Sequence, residues 1–371
     1  MNFLDAKVLK LLRKKVLSID IGSYSTKFVV GRSLAGEVSI EKMISAKTPE
    51  DIYQDGQILN INSMKDFIDK TIREEKIKSS HLSFTINSSS LIMKEISIPF
   101  ANPKDLKPMI EFEIEQYLPI DINQYNVQYK LLGSFMEDGV KKAIFVVAAL
   151  PKVISDSYLQ LSNMLGLKPY ALDIHSNCIS KLLNNKTKIN KEHDISSETI
   201  ALLDLGHIFT EAVVIENGEF KFGRLINSGG KDIDIHLANA YNLTILDASE
   251  KKFKIKDLTR DSIESPLESM IKETVILGMN NLMQEVERIF KFYTTRTTGN
   301  RIDKILIYGG GTRLSGIDKL IEKFFNIPTF KVNCISEINI DLKKFNKGYD
   351  FDSDDIDISV YMNAIGAIIR S

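Results

Sequence analysis

One stretch of this sequence occurs twice. Val16-Leu-Ser-Ile-Asp-Ile-Gly-Ser-Tyr-Ser-Thr-Lys-Phe-Val-Val30 returns as Ile200-Ala-Leu-Leu-Asp-Leu-Gly-His-Ile-Phe-Thr-Glu-Ala-Val-Val214, so Asp20, Gly22 and Thr26 match Asp204, Gly206 and Thr210 at one offset of 184 residues. Each copy reads as strand, tight turn and strand. Each continues through a second turn, Gly31 to Gly36 or Asn217-Gly218, into a third strand, Val38–Ile44 or Glu219–Ile226. Copies so far apart do not stack as a short-period solenoid; they imply two lobes of like topology. A length of 371 residues, too great for one ordinary core, agrees.

The repeated turn carries a definite chemistry. An apolar strand delivers an aspartate to its end, and glycine and small hydroxyl residues then turn the chain. Backbone N–H groups in such a turn form a nest for phosphate, and the carboxylate suits a hydrated Mg²⁺. One such turn is often only a hairpin; two, facing each other across a cleft, could hold one triphosphate from both sides. A third element has the same flavour: a strand over Ile302–Tyr308, the glycines Gly309, Gly310 and Gly311 with Thr312, then a helix from Ser315 to Phe325. It fails the dinucleotide fingerprint, because Leu314 stands where the last glycine belongs, and Glu37 after Gly36 rules out a P-loop. The remaining use of such a loop is close backbone approach to a flat ligand such as adenosine.

Composition closes other routes. Lys and Arg number 48 against 49 Asp and Glu, which argues against a nucleic-acid binder working through phosphate neutralisation. Two cysteines make neither a disulfide framework nor a zinc site and fit a reducing cytoplasm. Asp350, Asp352, Asp354 and Asp355 imitate a calcium loop, but Asp355 and Tyr361 occupy its glycine and glutamate positions. Residues 3–15 form a short basic amphipathic pattern, either packed on the domain, frayed, or touching an anionic membrane surface.

In order and spacing these motifs resemble the actin–Hsp70–sugar-kinase superfamily over nearly the whole chain. Asp20 to Lys27 looks like its first phosphate loop, Asp204 to Thr210 like its second, Gly309 to Leu314 like its adenosine loop, and Asp357 to Arg370 like its final connecting helix. Within it the chain most resembles the PilM family of type IV pilus assembly, through Met109 to Pro119, Val127 to Gly133, Ala148 to Lys152 and Leu165 to Pro169. The resemblance implies an α/β, actin-like, duplicated (ribonuclease H-like) two-lobe fold with an inserted α+β subdomain of the FtsA/PilM type. The expected divisions are an N-terminal segment 1–15; subdomain 1A from 16–81, 173–196 and 352–371; the insertion 1C at 82–172; 2A from 197–231 and 301–351; and 2B at 232–300.

It also implies roles. ATP and Mg²⁺ are the expected cofactors, with Asp20 and Asp204 holding Mg²⁺ through water. Gly22, Ser23, Ser25 and Lys27 would meet the phosphates, with Gly206 and Thr210 as second-lobe equivalents. Gly229 and Gly230 open a helix at Asp232–Tyr241 that either faces the nucleotide or follows a plain turn. Gly309, Gly310, Gly311 and Thr312 form the adenosine loop, and Glu250 and Lys254 lie near adenine by resemblance only. The implied function is that of a cytoplasmic adaptor, peripheral to the inner membrane, docking the N-terminal tail of a PilN-like single-pass membrane protein and linking the platform to the motor ATPase. Self-association is a further expectation.

Hydrolysis needs a group that orients or deprotonates water. Around Ala171 to Asn177 the sequence offers only Asp173, which could instead cap the next helix. The expectation is ATP binding with slow or absent turnover. A helix over Asp105–Leu118 would put Leu106, Met109, Ile110, Ile114, Tyr117 and Leu118 on one face and Phe112 on the other, as a partner contact or buried within the same subdomain. The competing readings are an FtsA-like polymerising division ATPase, which expects chain beyond the final helix where this sequence ends at Ser371, and a sugar or acetate kinase, for which no catalytic carboxylate pair stands out.

Overall fold

The computed structural model describes residues 14–34, 36–117, 120–183, 187–260, 265–296, 301–340 and 357–370. The basic N-terminal segment, apart from Lys14 and Lys15, and the acidic loop at 350–355 lie outside them.

Two sheets carry the fold. In the first lobe the strand order is Lys168–Ile174, His81–Ile86, Val16–Ile21, Ser25–Leu34, Glu37–Lys47, Ile338–Ile340; in the second it is Glu219–Ile226, Thr210–Glu216, Thr199–Leu205, Lys304–Tyr308, Thr329–Lys331. Both are the same device, a three-strand antiparallel meander whose first strand continues the sheet with parallel neighbours. The registers match as well: Asp20 faces Lys27 across its hairpin, and Asp204 faces Glu211, the same position one repeat later.

The first strands are nearly continuous apolar runs because both faces of each sheet are covered. Leu17, Ile19 and Ile21 point away from the other lobe, onto Met64 and Ile68 of the helix Ile61–Glu74 and Tyr158 and Leu161 of the helix Lys152–Met164. Val16 and Val29 belong to a core shared with Ile200, Leu202, Val213 and Ile215 of the other sheet. The helices His175–Leu182 and Met362–Gly366 complete this shared core. They cross so closely that a Cβ on Gly366 would stand 2.3 Å from the Cys178 carbonyl oxygen.

The insertion is narrower than the expected 82–172. It contains a three-stranded antiparallel sheet, ordered Ile92–Pro99, Val140–Pro151, Tyr125–Glu137, with the helix Pro103–Tyr117 packing Ile110 and Ile114 onto Ile96, Phe145 and Val147. His81–Ile86 and Lys168–Ile174 instead pair into the first-lobe sheet, and Lys152–Met164 packs on its core, because their apolar residues match that face. Ile338–Ile340, inside the 301–351 segment expected in the second lobe, crosses over to add a parallel edge strand beside Glu37–Lys47.

Candidate functional site

Each repeated strand ends with its aspartate at the same end of its sheet, and both turns open onto a cleft of about 390 Å³ between the lobes. Glycine closes both turns for the same reason. A Cβ on Gly22 would lie 2.7 Å from the Ser25 carbonyl oxygen, and one on Gly206 would lie 2.4 Å from that of Phe209. Ser23, Ser25 and Lys27 line the first-lobe wall, and Lys27 Nζ donates to the Ser25 carbonyl at 3.0 Å. Thr210 and Glu211 line the opposite wall.

The glycine loop after Lys304–Tyr308 forms the third wall. Gly309 has φ +87°, and a Cβ there would fall 2.2 Å from Asp204 Oδ1, so this backbone packs directly on the second aspartate. Gly310 faces open space. Thr312 does not line the cleft; it turns inward, donating to the Gly309 carbonyl at 2.8 Å and meeting Ser359 Oγ at 3.1 Å, which braces the loop. Gly229 and Gly230 line the cleft at the start of the helix Gly230–Tyr241. The Gly230 N–H donates to the Gly206 carbonyl at 3.0 Å, tying that helix to the second turn.

At the floor, one imidazole joins the two lobes. His175 Nε2 lies 3.1 Å from Asp20 Oδ1, which also accepts from Thr85 Oγ1 at 3.0 Å. On the other side of the ring, Asn363 Nδ2 sits 3.1 Å from His175 Nδ1 and donates to Asp204 Oδ2 at 2.8 Å. Burial opposes a charge on His175, but Asp20, Asp204 and Glu211 outweigh it and lift the imidazole to about 9. Asn363 cannot turn its amide over without setting Oδ1 against the Asp204 carboxylate, so the charged ring directs Nδ1–H towards Asp204 Oδ2, 3.7 Å away, while Asn363 keeps its bond to that oxygen. Burial would raise the Asp20 carboxyl, yet the His175 charge and hydrogen bond, with Lys27 and Thr85, hold it below the usual range. Burial raises Asp204 despite His175 and Asn363. Glu211 is pushed up to about 7, chiefly by burial.

The expected residues do not all reach the cleft. Gly22, Ser23, Ser25, Lys27, Asp204, Gly206, Thr210, Gly229, Gly230 and Gly309 to Gly311 meet around one cleft, while Asp20 lies behind His175. Glu250 and Lys254 do not line it; they are exposed and pair with each other at 3.8 Å. The helix Ile245–Phe253 turns Ser249, Lys252 and Phe253 to the cleft instead, and Lys252 forms a buried pair with Asp234 at 2.7 Å. Asp173 also points elsewhere, accepting from Asn177 Nδ2 at 2.8 Å and Lys181 Nζ at 2.5 Å. Phe112 stands 62% exposed, which excludes its burial within the insertion.

Sequence reasoning missed His175, Lys252, Arg313, Asn363 and the cleft-facing role of Glu211. His175 is two residues beyond the Asp173 already singled out, and Glu211 is the repeat partner of Lys27; both were findable. Arg313 stacks its guanidinium 4.9 Å from the centre of the Phe253 ring at the cleft edge.

The cleft can hold a polar, phosphorylated ligand. Two buried hydroxyls on its walls, Thr210 Oγ1 and Tyr308 Oη, lack a hydrogen-bond partner. Among the described residues no three His, Cys, Asp or Glu side chains converge as a metal site.

Comparison with known proteins identifies a family and a fold. A family described as "Type IV pilus assembly protein PilM" matches residues 18–371. Among solved structures, a PilM–PilN type IV pilus biogenesis complex superposes with a TM-score of 0.80 at 19% identity, over 96% of this chain and 98% of that one. MreB5 of Spiroplasma citri bound to ADP gives 0.53 at 12%, covering 95% and 94%. The ethanolamine utilization protein EutJ from Carboxydothermus hydrogenoformans gives 0.52 at 12%, covering 95% and 89%. At these identities the structural likeness establishes the actin-like fold.

Proposed function

The chain belongs to the PilM family of type IV pilus assembly proteins, and on that premise we propose that it is an ATP-binding adaptor whose output is binding rather than turnover. One observation carries the nucleotide half of this reading: the two repeated glycine turns face each other across a single cleft, with the glycine loop at Gly309 as its third wall. The N–H groups of the two turns, with the hydroxyls of Ser23, Ser25 and Thr210, cradle the phosphates, and Lys27 supplies a point charge to them. Gly309 to Gly311 accept the adenosine. Mg²⁺, if bound, would neutralise phosphate charge; Asp204, which lines the cleft, could hold it through water, whereas Asp20 is engaged by His175 and Thr85 and would act only by orienting that ring.

Slow turnover follows from what surrounds the reacting end. Asp173 is occupied by Asn177 and Lys181. Glu211, one of the carboxylates that line the cleft, is buried and engaged by Asn87 Nδ2 at 3.4 Å. Nucleotide then acts by favouring one lobe arrangement, which it does through differential affinity alone.

The adaptor half rests on the insertion. Phe112 lies on its outer helix face, and Leu131 and Met136 are exposed on Tyr125–Glu137, an edge strand of its sheet. An extended N-terminal segment of a PilN-like membrane protein would add to such an edge and place side chains against those residues. The partner's anchor would hold the adaptor at the cytoplasmic face of the inner membrane, where it could self-associate and meet the motor ATPase. No described helix is long and apolar enough to cross a membrane itself.

The test is a pull-down from the native host with Mg·ATP or with EDTA, read by mass spectrometry. Recovery of a single-pass membrane protein with a short cytoplasmic N-terminus, together with a hexameric motor ATPase, supports the adaptor. Recovery of a tubulin-like division protein replaces it with the FtsA-like reading.

A further inference from the structure

Ser23 and His207 occupy the same position of the two repeats, and they touch: Ser23 Oγ lies 3.0 Å from His207 Nδ1, across the cleft. We propose that this contact is a latch between the lobes, which a phosphate entering the first turn must break. The proposal rests on the nucleotide reading above and adds to it a gate built from the protein's own residues.

The second lobe holds His207 ready for this contact. Its carbonyl accepts the Lys231 N–H at 2.7 Å, and Gly229 packs so near that a Cβ there would stand 2.6 Å from that oxygen. His207 Nε2 is 4.0 Å from Asp234 Oδ2, and Asp234 is fixed by its buried pair with Lys252. At 4.0 Å the Asp234 carboxylate is too far for a hydrogen bond, but its charge favours the tautomer with the proton on Nε2, which leaves the Nδ1 lone pair to the first lobe. Burial, with Lys252, Lys231 and Lys27, lowers the imidazole to about 4, so that lone pair is available at neutral pH. Tyr24 lays its ring 5.4 Å from the imidazole, covering the contact from the first-lobe side.

A serine hydroxyl has one proton to donate. Donated to His207, it closes the lobes on each other; donated to a phosphate oxygen, it releases His207. Nucleotide binding therefore exchanges a bond between the lobes for a bond to ligand, and the latch opposes entry. Because the His207 carbonyl is bonded to the Lys231 N–H at the start of the helix Gly230–Tyr241, release also frees the outer part of the second lobe to move.

The experiment compares the full-length wild type with His207→Phe, which keeps a ring against Tyr24 but no acceptor, His207→Gln, which keeps an acceptor, and Ser23→Ala. Stopped-flow association of a fluorescent ATP analogue with Mg²⁺ and X-ray scattering of the nucleotide-free proteins are the readouts. A lost hydrogen bond predicts about two- to ten-fold faster association for His207→Phe, with a larger radius of gyration without nucleotide. His207→Gln should stay near wild type in both. Ser23→Ala should expand likewise but gain no affinity, having lost the phosphate contact as well. Unchanged or slower association by a folded His207→Phe with an unchanged radius overturns the latch. If His207→Phe does not fold, Ser23→Ala with a wild-type radius overturns it instead. A wild type that binds no analogue sinks the nucleotide reading, and the scattering comparison alone then decides the latch.

Discussion

His175 stands 3.1 Å from Asp20 Oδ1, although 155 residues separate them in the chain, and through Asn363 the same ring reaches Asp204 of the other lobe. The two carboxylates of the repeat are thus linked by one side chain in the middle of the molecule, and its ionisation is tied to folding.

Stability should therefore fall between pH 7 and pH 9.5. An imidazole raised from 6.5 to about 9 in the folded protein binds a proton that the unfolded chain releases earlier. Its contribution is complete below 6.5 and is lost as pH rises through about 9, with a ceiling on the order of 3 kcal/mol. Thermal unfolding across this range, compared with His175→Gln, measures it. A variant whose melting temperature drops as steeply as that of the wild type refutes the assignment.

Gly309 and Gly310 should respond unequally to alanine. At Gly309 the new Cβ meets Asp204 Oδ1 at 2.2 Å on a backbone with φ +87°, whereas at Gly310 it meets nothing within 4 Å. Urea denaturation should place Gly309→Ala about 2–3 kcal/mol below wild type, with Gly310→Ala within about 1 kcal/mol. Equal effects would mean that the loop does not pack on the aspartate as described.

Lys252→Ala should be far more damaging than Lys254→Ala. Removing Lys252 leaves Asp234 buried without its partner, which costs about 3–5 kcal/mol. Lys254 is exposed and its loss should leave the unfolding midpoint unchanged. Chemical denaturation of the two variants side by side separates the buried pair from the surface pair.

Phe112→Ala should leave the melting temperature unchanged, since the ring is 62% exposed. If the insertion docks a PilN-like tail there, the same variant should bind a peptide of that tail about ten-fold more weakly by fluorescence anisotropy. Undiminished binding would move the docking surface away from this helix face.

Much of the site was legible because its chemistry is local. An aspartate, a glycine two residues later and hydroxyls beyond it lie within one turn, so Gly22, Ser23, Ser25 and their partners around Gly206 could be named from neighbours alone. The repeat supplied the second lobe by the same reading. Glu250 and Lys254 went astray for a local reason too: at about 100° per residue, an error of two positions turns a helix away from the cleft, and Lys252 is the residue that faces it.

What the sequence by itself determined was the pair of turns, the two-lobe plan and the glycine loop, all written in contiguous residues whose backbone needs are short-range. Tertiary structure alone decided which distant groups meet them. His175 reaches Asp20 because Lys168–Ile174 and Val16–Ile21 both run parallel to His81–Ile86, which brings their C-terminal ends to one edge of the sheet. Ser23 reaches His207 because two copies of one turn face each other across the cleft. Neither fact is encoded in any single stretch, because strand order and lobe packing are set by burial of apolar faces over the whole chain.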